Sequence, residues 1–348
     1  MKTETALVTS DDIIVAPEGE ARMDNSTFLS MFMPKTLSDF TGQPHAVKRL
    51  RVMIDSAKKM GQVNLPPMLF SGASGTGKTT LARAVAVEMD STLKVVNGPA
   101  IRTKDDVLGV MGSLRDGHTL FIDEVHAMDI KAEETLYNIL DNPDRKIGYF
   151  VIPDFTLIMA TTMPGKLTEP MKNRLNAEIN MKPYDNESMK DVLRFIVDQI
   201  NIDLPEECYD ILPQRTRFVP RNAVQLIKNI YDFAVQTNGI NGQVHCSVEE
   251  LIEACEIFGV DEYGFNDFDR DYLRCLAKRT YAGKCSVGLE HVTQSTGMDK
   301  KTVCQKVEPY MLRLDLVSHD TKGRTLTAEG IKLVNKMFAD ELHIDINE

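Results

Sequence analysis

No stretch of this 348-residue chain is apolar for long enough to span a bilayer, and its start lacks the basic, apolar and small-residue succession of a secretory leader. Both absences lead us to expect a cytosolic protein with no membrane partner. Cysteine is sparse: six residues, at positions 208, 246, 255, 275, 285 and 304, all in the C-terminal half and none in a C-x-x-C pair. That spacing offers neither a zinc site nor a disulfide framework, so buried thiols are the expectation. Positive charge is in deficit, with 40 Lys and Arg against 51 Asp and Glu, a net of −11. The surface as a whole is therefore unsuited to coating nucleic acid, while a local basic face stays open. Hydrophobic residues make up 43% and charged ones 26%, a globular composition over a length that accommodates two or three domains.

What the chain does have is Gly72-Ala73-Ser74-Gly75-Thr76-Gly77-Lys78-Thr79, which fits G-x-x-x-x-G-K-[ST]. Ahead of it Met68-Leu69-Phe70 reads as a buried strand; behind it Lys78 to Met89 reads as a helix free of Gly and Pro. Glycines let backbone wrap closely around a polyphosphate, and amides at the helix start add donors and positive dipole. Gly72, Ser74, Gly75, Thr76, Gly77, Lys78, Thr79 and Thr80 are the expected contacts to a nucleoside triphosphate. Lys78 is expected on the β- and γ-phosphates, and the Thr79 hydroxyl on Mg²⁺. The alternative, a Gly-rich turn that happens to precede a helix, does not account for strand, loop and helix in that order.

Residues 1–31 mix acidic, Ser/Thr and small residues without periodicity and read as a flexible arm. Helical spacing links Val47, Leu50, Met53 and Ile54. After the phosphate-loop helix come a strand at Leu93–Val96 and a helix from Asp105 to Leu114. The run His118-Thr119-Leu120-Phe121-Ile122-Asp123-Glu124 then reads as a buried strand ending in two carboxylates. A parallel strand delivers its last residues to the sheet edge where the loop also opens. Asp123 is expected to hold Mg²⁺ through water, and Glu124 to polarise the attacking water as general base. A helix over Lys131–Leu140, a hairpin around Pro143-Asp144 and a strand over Phe155–Ala160 follow. Thr161 and Thr162 after that strand either sense a γ-phosphate or cap the next turn; spacing does not separate the two.

Beyond Arg174 strands give way to helices at Met189–Ile200, Arg221–Val235 and Val248–Phe258. Arg221, just after Pro220, stands either on bound nucleotide or in solvent, as most lone arginines do. From Asp267 three helical runs (269–280, 289–296, 300–314) precede two short strands about a turn at Asp320–Gly323, the pattern of a winged helix. Residues 269–325 carry 11 Lys/Arg against 7 Asp/Glu, a net of +4 in an acidic protein. Lys300, Lys301 and Lys306 on the third helix and Lys322 and Arg324 at the wing tip are the candidate DNA contacts; a protein-docking winged helix with solvated lysines is the alternative.

In order and spacing these motifs resemble the RuvB family of hexameric AAA+ motors that drive branch migration of Holliday junctions with a RuvA partner. Similar runs are Pro34-Lys35-Thr36-Leu37 with Gly42-Gln43, LFIDEVH at 120–126, IMATT at 158–162, Arg217 with Pro220-Arg221, and Val260 to Phe265. Val287-Gly288-Leu289, Val307 to Tyr310 and Lys322-Gly323-Arg324 extend the likeness to most of the chain, from about Met33 to Leu333. The resemblance implies a P-loop AAA+ α/β core with a parallel sheet and helices on both faces over residues 32–184. An all-α lid would cover 185–262, a winged-helix DNA-binding domain 263–340 and an acidic tail 341–348. It implies an ATPase of the helicase or translocase type, using ATP and Mg²⁺, acting on duplex or junction DNA as a homo-oligomeric, hexameric ring. Thr162 would be a first sensor and Arg221 a second; Arg174 matches a finger reaching a neighbouring subunit's site, and Tyr184 an aromatic near adenine.

The chain also departs from the pattern. Ala73-Ser74 and Thr76 replace the usual Pro-Pro and Leu, Met33 and Met163 stand where Arg is usual, and Phe218-Val219 replace Gly-Thr. Thr321-Lys322 replaces Pro-Arg, and the segment from Leu140 to Asp154 is short where the family carries its RuvA-engaging hairpin, which weighs against dependence on a RuvA-like partner. The second functional reading is an ATP-switched helicase or replication loader anchored on DNA by its winged helix. A third is an ATPase regulator whose winged helix docks protein alone.

Overall fold

Five short segments form one parallel sheet: β1 (Met68–Ser71), β2 (Leu93–Asn97), β3 (His118–Asp123), β6 (Phe155–Thr161) and β7 (Ala177–Asn180), in the order β2-β3-β6-β1-β7. The computed structural model describes residues 32–142, 146–147, 150–239, 243–283 and 286–342. The expected arm at 1–31, the end of the acidic tail, Pro143-Asp144 and Cys285 lie outside them. Alternate residues of the central strands enter two separate cores. Phe70, Phe121, Ile158 and Ala160 pack with Leu50, Ile54, Leu81 and Val85, from the helices Pro44–Lys59 and Lys78–Glu88. Leu69, Leu120, Ile122, Leu157 and Met159 pack instead with Met111, Leu136 and Ile139, from the helices Lys104–Gly112 and Ile130–Leu140. A strand covered on both faces is mostly apolar along its length, which is why β1, β3 and β6 are legible as sequence.

β7 escapes sequence reading. It is a four-residue edge strand in which only Ala177 and Ile179 are buried, too short for a pattern. In the stretch where a hairpin is expected, β4 (Lys146–Ile147) and β5 (Phe150–Val151) pair antiparallel, Ile147 opposite Phe150, while Pro143-Asp144 lies outside the described residues.

Contacts divide the chain into two compact units. The described residues up to Asp203, with Phe218–Lys228, make the first; Leu204–Arg217 and the residues from Asn229 onward make the second. The helix Asn186–Ile200, capped by the Asp185 side chain on the Ser188 amide, belongs to the first unit and buries Met189, Val192, Leu193, Ile196 and Val197. Two two-residue strands, β8 (Ile202–Asp203) and β9 (Val244–His245), lie in the stretch read from sequence as helical only.

In the second unit, Asp267–Tyr281, Leu289–Thr296 and a run starting at Lys300 surround a core of Tyr272, Leu276, Val292, Val303, Val307 and Met311. β10 (Val317–Asp320) and β11 (Gly323–Leu326) form an antiparallel wing, and Val287 adds a bridge to Arg324. The third run is not one regular helix, as expected, but Lys300–Thr302, a π-helical turn Val303–Val307, and Glu308–Arg313. Pro309 explains the break: it lacks an amide hydrogen and its ring crowds the preceding turn. Among the described residues no helix is long and apolar enough to cross a membrane. Cys208, Cys246, Cys255 and Cys275 are buried, whereas Cys304 is exposed.

Candidate functional site

The phosphate loop leaves β1 at Gly72, where φ is +147° and an added Cβ would stand 2.6 Å from the Met181 carbonyl oxygen. Gly77, at φ +98°, precedes the helix Lys78–Glu88 without a side-chain cap, so the first-turn amides keep their donors for a ligand. Lys78 is buried and its ammonium donates back to the carbonyls of Gly72 (2.9 Å) and Ala73 (3.0 Å). Burial holds its pKa below the ordinary lysine value, while the charges of Asp123 and Glu124 work in the opposite direction. A buried cation that rests on carbonyl dipoles is poised to exchange them for anionic oxygens.

β3 brings the carboxylates to the same edge. Burial raises the pKa of Asp123, the neighbouring Glu124 charge adds to this, and Lys78 and Arg221 oppose it; the Glu124 amide donates to its carboxylate at 2.9 Å. Glu124 itself adopts φ +49°, a region seldom used by residues with a Cβ. Its backbone is backed by Gly98, where a Cβ would lie 2.5 Å from the Glu124 carbonyl oxygen. Because β3 and β6 are neighbours, the Thr162 hydroxyl reaches Glu124 Oε2 and donates to it at 3.0 Å. His126 Nδ1 lies 3.1 Å from that same oxygen and 2.9 Å from the Thr161 hydroxyl. Gly98 and His126 had no role in the sequence reading, since neither spacing nor residue type marks them.

Loop and carboxylates open into a cavity of about 810 Å³, within the range of ligand sites. Ser74, Gly75, Gly77, Lys78, Thr79, Thr80, Asp123, Glu124, Tyr184 and Arg221 all line it, as do Met33 and Phe40. Tyr184 is buried, its hydroxyl donates to the Thr76 carbonyl at 3.2 Å, and burial pushes its pKa up to about 12. Thr79 and Asp123 present oxygen donors of the kind a hard divalent cation takes. Arg221 stands in the helix Pro220–Asn238 and approaches the loop at Gly75. Just ahead of it, Phe218 adopts φ +57°, in the left-handed region that glycine enters most readily.

Arg174 is not brought into this cavity. Its guanidinium is paired with Asp141, donates to the Pro170 carbonyl at 2.8 Å and stacks 4.6 Å from the centre of the Tyr137 ring.

On the winged helix, Lys300, Lys301, Lys306 and Lys322 are exposed, with Lys300 3.2 Å from Glu290, which is exposed too. Arg324 corrects the expectation of a solvent-facing cation at the wing tip. Its side chain is only 15% exposed and turns inward, its Nε donating to Glu308 Oε1 at 2.6 Å, where the Tyr272 hydroxyl also donates at 3.2 Å. Glu308 is almost fully buried, and a buried carboxylate demands a cation close by.

Residues 32–181 match the sequence model for the Holliday junction DNA helicase RuvB P-loop domain, and residues 262–335 that for the RuvB C-terminal winged helix domain. Among curated relatives, the Holliday junction branch migration complex subunit RuvB of Corynebacterium aurimucosum is 33% identical over 307 residues, covering 85% of this chain and 82% of its own. The Thermotoga maritima subunit is 29% identical over 311 residues, covering 86% and 90%. The solved structure of the Thermotoga maritima RuvB Holliday junction branch migration motor superposes with a TM-score of 0.78 at 28% identity, covering 88% of this chain and 98% of that one.

Proposed function

The chain belongs to the RuvB family, and from that membership we propose that it is an ATP-dependent DNA motor driving branch migration of Holliday junctions in recombination and repair. The observation that carries this reading is the convergence of Lys78, Thr79, Asp123, Glu124 and Arg221 on one cavity in a chain that also holds a winged helix. The domain plan we adopt is an ATPase core over 32–184, a lid over 185–262 and the winged helix over 263–340. The protein acts in the cytoplasm, where junction DNA is at hand.

In the reaction, Lys78 exchanges the Gly72 and Ala73 carbonyls for the β- and γ-phosphate oxygens of ATP. The Thr79 hydroxyl and, through water, the Asp123 carboxylate would hold Mg²⁺, which would supply positive charge against the phosphates. Glu124 polarises the attacking water and receives its proton, and Thr162, bonded to Glu124 Oε2, fixes the direction in which the other oxygen points. Arg221 neutralises charge on the phosphates from the cavity wall. Arg174, held outside its own cavity, serves the site of an adjacent subunit in a hexameric ring, where a guanidinium stabilises the phosphoryl-transfer transition state. Lys300, Lys301, Lys306 and Lys322 contact DNA phosphates. A RuvA-like partner would meet a shortened 140–154 segment, in which, among the described residues, β4 pairs with β5 over two residues.

The deciding measurement is steady-state ATP hydrolysis with and without four-way-junction DNA, for wild type, Glu124→Gln and Arg174→Ala. A motor gives junction-stimulated turnover that both substitutions abolish. Turnover near background, with ATP still tightening DNA binding, would replace the motor with a nucleotide-switched loader.

A further inference from the structure

The surroundings of Arg174 contain more than an arginine finger requires. The helix Ile130–Leu140 ends on Asp141, and Tyr137 stands one turn earlier on the same face. A carboxylate at a helix C-terminus opposes the helix dipole, so helix stability does not explain Asp141. Its carboxylate instead takes the side edge of the Arg174 guanidinium: Nε donates at 3.0 Å to each oxygen, and Nη2 donates to Oδ2. From behind, Nη1 donates to the Pro170 carbonyl at 2.8 Å. The Tyr137 ring covers one face, and its own hydroxyl is tied to Glu133 and to Thr168, 2.6 Å away. A guanidinium has five N–H donors in a rigid fork. Three are thus committed, and the two left over, one on Nη1 and one on Nη2, form the tip edge, which has no partner among the described residues. That edge is the one that fits two phosphate oxygens side by side.

We infer that Asp141 is a positioning residue for phosphoryl transfer: it fixes Arg174, over the Tyr137 ring, with its tip donors presented outward to the nucleotide of the next subunit. The inference rests on the reading of Arg174 as acting in trans. It differs from a latch, which would occupy the tip edge and would have to open before the arginine could work. Nor is it a matter of stability. Asp141 is 54% exposed and Arg174 26%, and exposed ion pairs contribute little to folding. The value of the pair is orientation, in a reaction where misplacing a group by about 1 Å can cost roughly 100-fold.

The test uses the full-length protein with junction DNA. Asp141→Ala is expected to lower kcat about tenfold or more, with the KM for ATP and the melting temperature nearly unchanged. Asp141→Glu, which can still pair, should recover part of that loss. In an Arg174→Ala background, Asp141→Ala should cost nothing further. Mixed oligomers then locate the effect. Glu124→Gln subunits supply the arginine, and Arg174→Ala subunits supply an intact base, so mixing restores turnover only if the arginine acts in trans. Asp141→Ala added to the Glu124→Gln subunits should remove the restored turnover; added to the Arg174→Ala subunits, it should not. Failure of the simple mixture to recover would overturn the trans reading and the inference with it. Recovery that ignores which subunit carries Asp141→Ala, or a rise in kcat for Asp141→Ala alone, would overturn the inference and leave the trans reading standing.

Discussion

At Gly72 the backbone holds φ +147°, and the nearest obstacle to a side chain is the Met181 carbonyl, which belongs to rigid backbone. Gly75 differs: φ is +79°, and a Cβ would meet a methyl of Val219 at 2.6 Å, the end of a side chain that can turn away. Gly72→Ala is therefore expected to cost about 2 kcal/mol of folding stability and to abolish nucleotide binding. Gly75→Ala should fold and bind with a smaller loss; chemical denaturation and nucleotide titration of the two variants check the ranking. Tyr184 gives a prediction in pH. Its phenol stays protonated up to about 12 in the folded chain, against about 10 when unfolded. Between those values the folded state binds the extra proton, so stability falls as pH rises through the window and is unaffected below it. Tyr184→Phe removes that share of the alkaline loss, which a comparison of urea midpoints near pH 9 and pH 11 measures.

One charge sets the geometry of the winged-helix wing. Glu308, at the helical restart after the π turn, holds Arg324 of β11 and the Tyr272 hydroxyl of the first helix together in a nearly dry setting. His319, opposite Arg324 in the wing, stands 3.6 Å from the same carboxylate. Removing Glu308 strands a poorly solvated guanidinium, so Glu308→Ala is expected to cost about 3 kcal/mol in chemical denaturation. Arg324→Leu in addition should recover much of that loss, because the uncompensated cation has then gone too. A weaker effect of the double change on DNA binding than of losing the exposed lysines would agree with Arg324 serving the fold.

For the whole molecule, charge decides how a protein of net −11 can grip a polyanion. Among the basic residues of the winged helix, Lys300, Lys301, Lys306 and Lys322 on the third helical run and the wing face solvent. Replacing the first three with Ala should weaken duplex and junction DNA alike and flatten the salt dependence of binding by about 2 to 3 units of logarithmic slope. Binding isotherms from low to moderate salt measure it; an unchanged slope would assign the winged helix to protein docking.

Read as sequence alone, this chain already specifies its ATPase frame. A parallel strand covered on both faces is mostly apolar, so β1, β3 and β6 stand out, and the loop between β1 and its helix can be recognised by glycines that suit its backbone. The same local rules foretold the winged helix from three periodic runs and a turn. Tertiary structure decided what depends on residues distant in sequence. β7 exists because β1 offers an edge, not because Ala177–Asn180 carries a pattern. Gly98 gains its place against the Glu124 backbone, and His126 its hydroxyl partner Thr161, only where separate segments meet at the sheet's edge. Arg324 reads as a wing-tip cation until Glu308 is seen beneath it, and Asp141 as an ordinary helix end until Arg174 closes on it, 33 residues later in the chain. Periodicity and backbone sterics act between near neighbours and are written in order along the chain, whereas the pairing of charges is fixed only when folding brings their carriers together.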